Sequence, residues 1–136
     1  MSDVSDSVAF LNGTYEEALK LAREARDYLT FQESKDRAQL DTRAQLVASC
    51  ESMRLTARLT QVIAWLMVQR AVQAGELSRA QATESQYRLS GREVCAEDGR
   101  LESLPLPPRL EELLDRSHTL YQRVERLDAM MDRVAS

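Results

Sequence analysis

The sequence contains few of the residues from which catalytic and metal sites are usually built. It has one histidine, His118, and two cysteines, Cys50 and Cys95, that lie far apart. A zinc site or a di-iron bundle therefore has too few ligands. Cys50 and His118 could form a nucleophile and its base, but Cys50 lies in an apolar stripe, and there is no glycine-rich phosphate loop. We predict a protein that is not an enzyme and holds no cofactor or metal, with two free thiols in reducing cytosol.

Glycine, proline and aromatic residues are also scarce. The four Gly, three Pro, two Phe, four Tyr and one Trp are few for a sandwich or barrel, which needs many turns and β-rich segments. The 43% of hydrophobic and 29% of charged residues are typical of a globular protein. A chain of 136 residues makes one domain of ordinary size. Composition therefore favours a helical domain.

Neither an excess of positive charge nor a long apolar run is present. The 18 basic and 22 acidic residues give a net charge of −4, which argues against nucleic-acid binding by phosphate neutralisation. The longest apolar run, Val62–Val68, is far shorter than the roughly 20 residues that a membrane-spanning helix needs. The acidic opening residues 1–6 lack the apolar segment of a secretory signal. We therefore expect a cytoplasmic protein without a membrane partner.

Apolar residues repeat at steps of three and four along three long segments, the spacing that forms one stripe of a helix. No segment alternates with a period of two, so we predict an all-α fold, a three-helix bundle in one domain over residues 1–136 with a short additional helix before the last long one. The short link after the first helix favours an antiparallel second helix, whereas the irregular stretch 90–107 leaves the direction of the last helix open. The predicted helices cover residues 5–31, 36–74, 79–89 and 108–134.

Signals for helix ends are clearest around the second long helix. Capping patterns begin at both Asp36 and Thr42, so either could start this helix. Gly75 is predicted to end it. Ser78 with Gln81 is typical of a capping box at the start of the short helix.

The second long helix carries more apolar surface than one neighbour can cover. Its main stripe consists of Leu46, Cys50, Met53, Ala57, Thr60, Ala64, Met67 and Ala71. Beside it Leu55, Leu59, Val62 and Leu66 widen the face that we expect to be buried in the bundle. Because Val62–Val68 is apolar all round, this segment is either the centre of the bundle or part of a subunit interface. We predict a homodimer with Val62, Trp65 and Leu66 in its interface; in the alternative, Trp65 is a core anchor.

Polar residues of the same helix offer a second kind of surface. Arg54 and Arg58 lie one turn apart, and Glu51 precedes Arg54 by three positions. Such a group forms either an intrahelical salt-bridged face or an exposed partner-binding patch. Glu51, Arg54 and Arg58 are therefore our candidate partner-binding residues, together with the acidic, irregular connection Ser90–Leu104.

Two regions of the sequence, residues 51–77 and 108–128, resemble a known family. Residues 51–59 read E-S-M-R-L-T-A-R-L, and residues 65–72 read W-L-M-V-Q-R-A-V. Residues 108–110 (P-R-L) and 117–128 (S-H-T-L-Y-Q-R-V-E-R-L-D) resemble the last helix of the same family. This family is RcdA, the regulator of CtrA degradation, also described as an alphaproteobacterial domain of unknown function. The Arg-rich composition, with only two lysines, agrees with a GC-rich source of this kind.

The resemblance implies a dimeric three-helix bundle with a non-catalytic role in regulated proteolysis. Such an adaptor helps deliver cell-cycle regulators, such as CtrA-type transcription factors, to the ClpXP protease together with other adaptor proteins. From the same resemblance we expect recruitment to a cell pole. Because the sequence stops at Ser136, soon after the last helix, we expect the flexible tail of some relatives to be short here. The alternatives are a general helical interaction module or a nucleoid-associated regulator in a different assembly.

Overall fold

A computed structural model of the chain describes residues 2–95 and 104–135, all of them helices or short connections. The α-helices are α1 (Ser2–Phe31), α2 (Glu33–Ala38), α3 (Thr42–Gln73), α4 (Arg79–Ala82), α5 (Arg92–Cys95) and α6 (Pro108–Ala135). A 3-10 turn, Ser85–Tyr87, lies between α4 and α5. No strand occurs in these two ranges, so the all-α prediction is confirmed. Three of the six α-helices are long and three are short, whereas the prediction has a single short helix.

The predicted helix over residues 36–74 is divided in two. The chain turns at Gln39 and Leu40, and the side chain of Asp41 then accepts a hydrogen bond of 2.9 Å from the backbone N–H of Ala44. Asp41 thereby caps the first turn of α3, whereas the sequence analysis predicted Asp36 or Thr42 as the start of this helix. The residues before the cap form the short helix α2 instead of the first turns of α3.

Gly75 ends α3 as its position predicts. Its φ of +78° lies in the left-handed region that favours glycine. The N–H of Glu76 donates to Ala71 O at 2.9 Å and that of Gly75 to Val72 O at 3.1 Å, which together form a Schellman motif. Beyond it the Ser78–Gln81 capping box is present, but α4 lasts one turn rather than the predicted 79–89.

The three long helices pack pairwise, and their side-chain contacts give their directions. Glu17 pairs with Arg123 at 2.6 Å, and Glu24 pairs with Arg116 at 2.6 Å, so α1 runs antiparallel to α6. Residues 58 and 65 of α3 contact residues 114 and 128 of α6, in the same order, so these two helices run parallel. The sequence left the direction of the last helix open, and in the structure this helix, α6, runs in the same direction as α3.

The face of α3 that enters the core differs from the predicted one. Leu55, Leu59, Val62 and Leu66 are buried, as expected for the second stripe. The main stripe of the prediction lies largely outside the core instead: Leu46, Met53 and Met67 are 66%, 72% and 56% exposed, and of its members Ala57 packs against the core. We call Leu46, Cys50, Met53, Ala57, Thr60, Ala64, Met67 and Ala71 the outward stripe. The prediction that the outward stripe faces the bundle was wrong. The buried face also carries the polar residues Glu51, Ser52 and Arg58, so a count of apolar residues does not identify it as the buried face.

Among the described residues, none of the helices combines the length and the apolar character needed to cross a membrane.

Candidate functional site

The three predicted partner-binding residues lie together at a polar cavity between α3 and α6. This cavity, which we call the α3–α6 pocket, has a volume of about 290 Å³. Its lining residues from α3 are Glu51, Arg54 and Arg58. Its lining residues from α6 are Glu111, Leu114, Asp115, His118 and Thr119. The sequence grouped the α3 residues by helical spacing, but it gave no sign that Glu111 and Asp115 face them, because that depends on the parallel pairing of the helices.

Glu51 is the deepest acidic group of the pocket. The residue is only 2% exposed, so it does not belong to an exposed patch, which was one of the two alternatives for this group of residues. Its Oε2 lies 3.3 Å from Arg54 Nη1, which is the predicted intrahelical ion pair. Its Oε1 is buried and has no hydrogen-bond partner. A buried acceptor without a donor is rare in folded proteins and marks a place where a ligand could supply one.

Arg58 is also buried, at 2% exposed, so it does not form part of an exposed patch, which was one of the two alternatives left open by the sequence. Its Nε donates to the carbonyl oxygen of Cys95 at 2.8 Å, and its Nη1 donates to that of Leu114 at 3.0 Å. Ser117 Oγ lies 3.4 Å from the same Nη1. Arg58 therefore joins α3 to α5 and α6, and its guanidinium forms part of the inner wall of the pocket.

A second buried polar cluster lies farther along the same two helices. The indole Nε1–H of Trp65 donates to Asp128 Oδ1 at 2.9 Å, and Arg88 Nε donates to the same oxygen at 2.8 Å. Arg92 Nη2 lies 3.6 Å from Asp128 Oδ2. Sequence reasoning missed this cluster. The available signal was the position of Asp128, one turn after Val124 on the apolar face of α6, where an ionised side chain needs internal partners.

The residues predicted for the dimer interface lie inside the single chain. Val62 and Leu66 are fully buried, and Trp65 is 3% exposed with its N–H paired to Asp128. Their burial is thus explained by contacts within one chain, and it gives no support to an interface at these positions. The predicted homodimer stays a prediction.

The second predicted partner surface, the connection Ser90–Leu104, is described only at its two ends, because residues 96–103 lie outside the described residues. At its start, Ser90 is held against α3: its N–H and its hydroxyl both donate to Gln61 Oε1, at 3.2 and 2.8 Å. Tyr121 O–H of α6 donates to the carbonyl oxygen of Ser90 at 3.1 Å. The first residues of this connection are therefore ordered by contacts with both long helices.

Both cysteines are free thiols. Burial raises the pKa of the Cys95 thiol, although the nearby guanidinium of Arg58 partly opposes this shift. A thiol with a raised pKa is a poor nucleophile at neutral pH. Within residues 2–95 and 104–135, no group of three or more His, Cys, Asp or Glu side chains is arranged to hold a metal ion.

Comparison with known proteins agrees with the motifs of α3 and α6. The family model described as "Protein of unknown function (DUF1465)" matches residues 3–136. The chain belongs to this family. Among solved structures, RcdA from Caulobacter crescentus CB15 is 38% identical in sequence, with 89% of each chain covered and a TM-score of 0.72. No curated protein matches the chain in sequence. The resemblance to the RcdA family is therefore confirmed.

Proposed function

We propose that the chain is a non-catalytic adaptor that helps deliver cell-cycle regulators, such as CtrA-type transcription factors, to the ClpXP protease. The observation that carries the proposal is the 38% identity to RcdA over 89% of both chains. RcdA is named as a regulator of CtrA degradation, and an adaptor performs such regulation by binding. Function does not follow from a helical fold, so the proposal rests on similarity across nearly the whole chain.

The surface of the described residues offers two separate places for binding. The α3–α6 pocket is polar and lies on one side of α3. The outward stripe is apolar and lies on another, beside a shallow groove of about 620 Å³ between α1 and α3. An adaptor has to contact more than one protein at once, and two chemically different surfaces on one helix suit that task.

Reconstituted proteolysis tests this proposal. Purified ClpXP is mixed with a CtrA-type regulator and the other adaptor proteins of the same cell, with and without this chain. We expect the regulator to be degraded faster when the chain is present. A substrate that ClpXP recognises directly serves as the control, and its degradation rate should not change. No effect on the regulator in any combination of adaptors would contradict the proposal, and salt-sensitive retention on DNA would favour a nucleoid-associated role.

We further propose that two copies associate through the outward stripe, not through Val62, Trp65 and Leu66. The stripe keeps alternating steps of four and three from Leu46 to Ala71, the spacing of a helix that packs along its length against another. Small residues at positions 57, 64 and 71 would allow close approach of the two helices. The exposed Met53 and Met67 supply apolar area that is uncovered in the single chain.

Sedimentation of charge-introducing variants tests the dimer. Met53→Glu and Met67→Glu place a carboxylate in the stripe without entering the core, so each should weaken association while the helical content stays unchanged. Met130→Glu is the matched control, because Met130 is 53% exposed on α6, outside the stripe. A wild-type chain that stays monomeric at micromolar concentrations would contradict the dimer. Equal weakening by the control variant would contradict the interface.

A further inference from the structure

The outward stripe of α3 consists of two alternating sets of positions that differ in the size of their side chains. Within each set, neighbouring members are one heptad apart, which is the repeat of helices that pack along their length. The larger side chains are those of Leu46, Met53, Thr60 and Met67, and the smaller ones are those of Cys50, Ala57, Ala64 and Ala71. The surface of the stripe therefore alternates between ridges and gaps. The ridges at Leu46, Met53 and Met67 are more than half exposed in the single chain.

The exposed surface around the stripe carries no charge over about four turns of α3. Between Arg54 and Arg70 the sequence has one charged residue, Arg58, which is 2% exposed and donates to carbonyl groups of α5 and α6. Charged residues that flank such a stripe normally decide which helices can pair with it. Along these turns no like charges meet when the stripe packs against an identical helix. A second copy of the chain is therefore an occupant that the stripe does not repel.

The alternation of sizes selects the direction in which a second copy packs. In a parallel, in-register pair of identical helices each position meets itself, so Met53 would face Met53 and Ala57 would face Ala57. Successive layers would then be overfilled and underfilled in turn, and both faults cost free energy. In an antiparallel pair each position of the larger set meets a position of the smaller set. Every layer then combines a large side chain with a small one, and the ridges of each helix enter the gaps of the other.

We propose that two copies of the chain pair through antiparallel α3 helices, with the two-fold axis between Ala57 and Thr60. This pairing rests on the proposed association through the outward stripe, and it adds the direction and the register of the two helices. Each layer is formed twice, as two-fold symmetry requires. The layers pair Leu46 with Ala71, Met53 with Ala64, Met67 with Cys50, and Thr60 with Ala57 of the second copy. A shift of one heptad in either direction would leave Leu46 or Met67 without an opposite residue in the stripe.

Disulfide cross-linking in the intact chain tests the direction and the register. The background variant is Cys50→Ser, which leaves the buried Cys95 as the other thiol. In this background Met53→Cys and Ala64→Cys are introduced singly and together, and both positions are exposed, so neither change enters the core. In the proposed register residue 53 lies opposite residue 64 of the second copy, within the Cα separation of about 4.4–6.8 Å that a disulfide allows. The two copies of residue 53 are offset by roughly 16 Å along the helices, which is too far.

We expect a mild oxidant to cross-link the double variant at least tenfold more than either single variant. Met67→Cys samples an independent layer: it should cross-link in the chain that keeps the native Cys50 and should not in the Cys50→Ser background. Met130→Cys in the Cys50→Ser background is the matched control, because Met130 is 53% exposed on α6, outside the stripe. Its cross-linking measures random collision between chains.

Two results would overturn the proposed pairing. One is cross-linking of Met53→Cys alone as efficient as that of the double variant, which would show parallel helices. The other is a double variant that sediments as a dimer but cross-links no more than the control, because association then uses another surface. If the double variant is monomeric, Met67→Cys with the native Cys50 decides in its place. Sedimentation of the wild-type chain distinguishes failure of the register from failure of the dimer: a wild-type monomer at micromolar concentrations contradicts both, whereas a dimer that lacks these cross-links contradicts only the register.

Discussion

Replacing Asp128 with alanine would remove the acceptor at the centre of the buried cluster of α3 and α6. Asp128 is 1% exposed and accepts from Trp65 Nε1, from Arg88 Nε and, at 3.4 Å, from the N–H of Leu89. Removing one member of a buried ion pair costs about 3–5 kcal/mol, because the remaining charge is left buried without its partner. Here the guanidinium of Arg88 is 20% exposed, and its Nη2 also donates to the backbone carbonyl of residue 128, a bond that alanine keeps.

These two features place the expected loss at the lower end of that range. We expect Asp128→Ala to lower the free energy of unfolding by about 3 kcal/mol. Asp128→Asn keeps one carbonyl oxygen for the indole N–H and loses only the charge, so we expect a loss of about 1.5 kcal/mol. The loss in Asp128→Asn is as informative as the loss in Asp128→Ala, because a cavity effect alone would make the nearly isosteric asparagine neutral.

Urea unfolding, followed by the fluorescence of Trp65 and by circular dichroism, measures both losses. Trp65 is the only tryptophan of the chain, so the fluorescence reports on the cluster itself. Asp115→Ala is the matched control: it is the same substitution on the same helix at an exposed position, and it should change the unfolding free energy by less than about 0.5 kcal/mol. An Asp128→Ala variant as stable as this control would refute the reasoning.

Three further measurements test other parts of the structure. Hydrogen bonds from Arg116 and Arg109 lower the pKa of Glu24 to about 2, so Glu24→Gln should cost about 1–2 kcal/mol at pH 7, and in urea unfolding this difference should disappear as the pH falls from about 4.5 through 2. At a dilution where the chain is monomeric, a thiol reagent should modify Cys50 in the folded chain, whereas Cys95, which is 1% exposed, should react only after denaturation. Arg58→Met should lower the unfolding free energy by about 2–3 kcal/mol, and Arg58→Lys should restore less than half of it, because an ammonium cannot reach both carbonyl groups.

The sequence predicts where helices form more reliably than which face they bury. Helix α1 follows from one clear apolar stripe, and it continues through Gly13 as the spacing indicates. In α3 the same rule selected the outward stripe, because counting apolar residues cannot recognise a buried face that includes Glu51 and Arg58. Arg58 is tolerated in the core through partners on other elements, the carbonyl groups of Cys95 and Leu114, and Glu51 through its ion pair with Arg54 of the same helix.

The pocket and the Asp128 cluster depend on pairs that are distant in sequence. Glu51, Arg54 and Arg58 were grouped from the sequence because helical spacing is local. Their neighbours on α6 depend on the direction of that helix, and the connection after α3 carries no periodic pattern from which to derive it. The pairing of Trp65 with Asp128 is not predictable for the same reason, although an aspartate on an apolar stripe is itself a signal for an internal partner.

The parallel arrangement of α3 and α6 has a consequence for how the protein folds. Two parallel helices need a connection that returns along their length, and the start of that connection supplies partners to both of them, through Arg88, Ser90 and Cys95. If α3 and α6 paired before this segment docked, the guanidinium of Arg58 and the carboxylate of Asp128 would be buried without these partners. Pairing of the helices and docking of residues 88–95 should therefore be one cooperative step, with backbone amides of both regions exchanging hydrogen at a common rate. Bringing together two helices that are separated by such a long connection is slow, because contacts between residues distant in sequence form slowly. We therefore expect this step to limit the rate of folding.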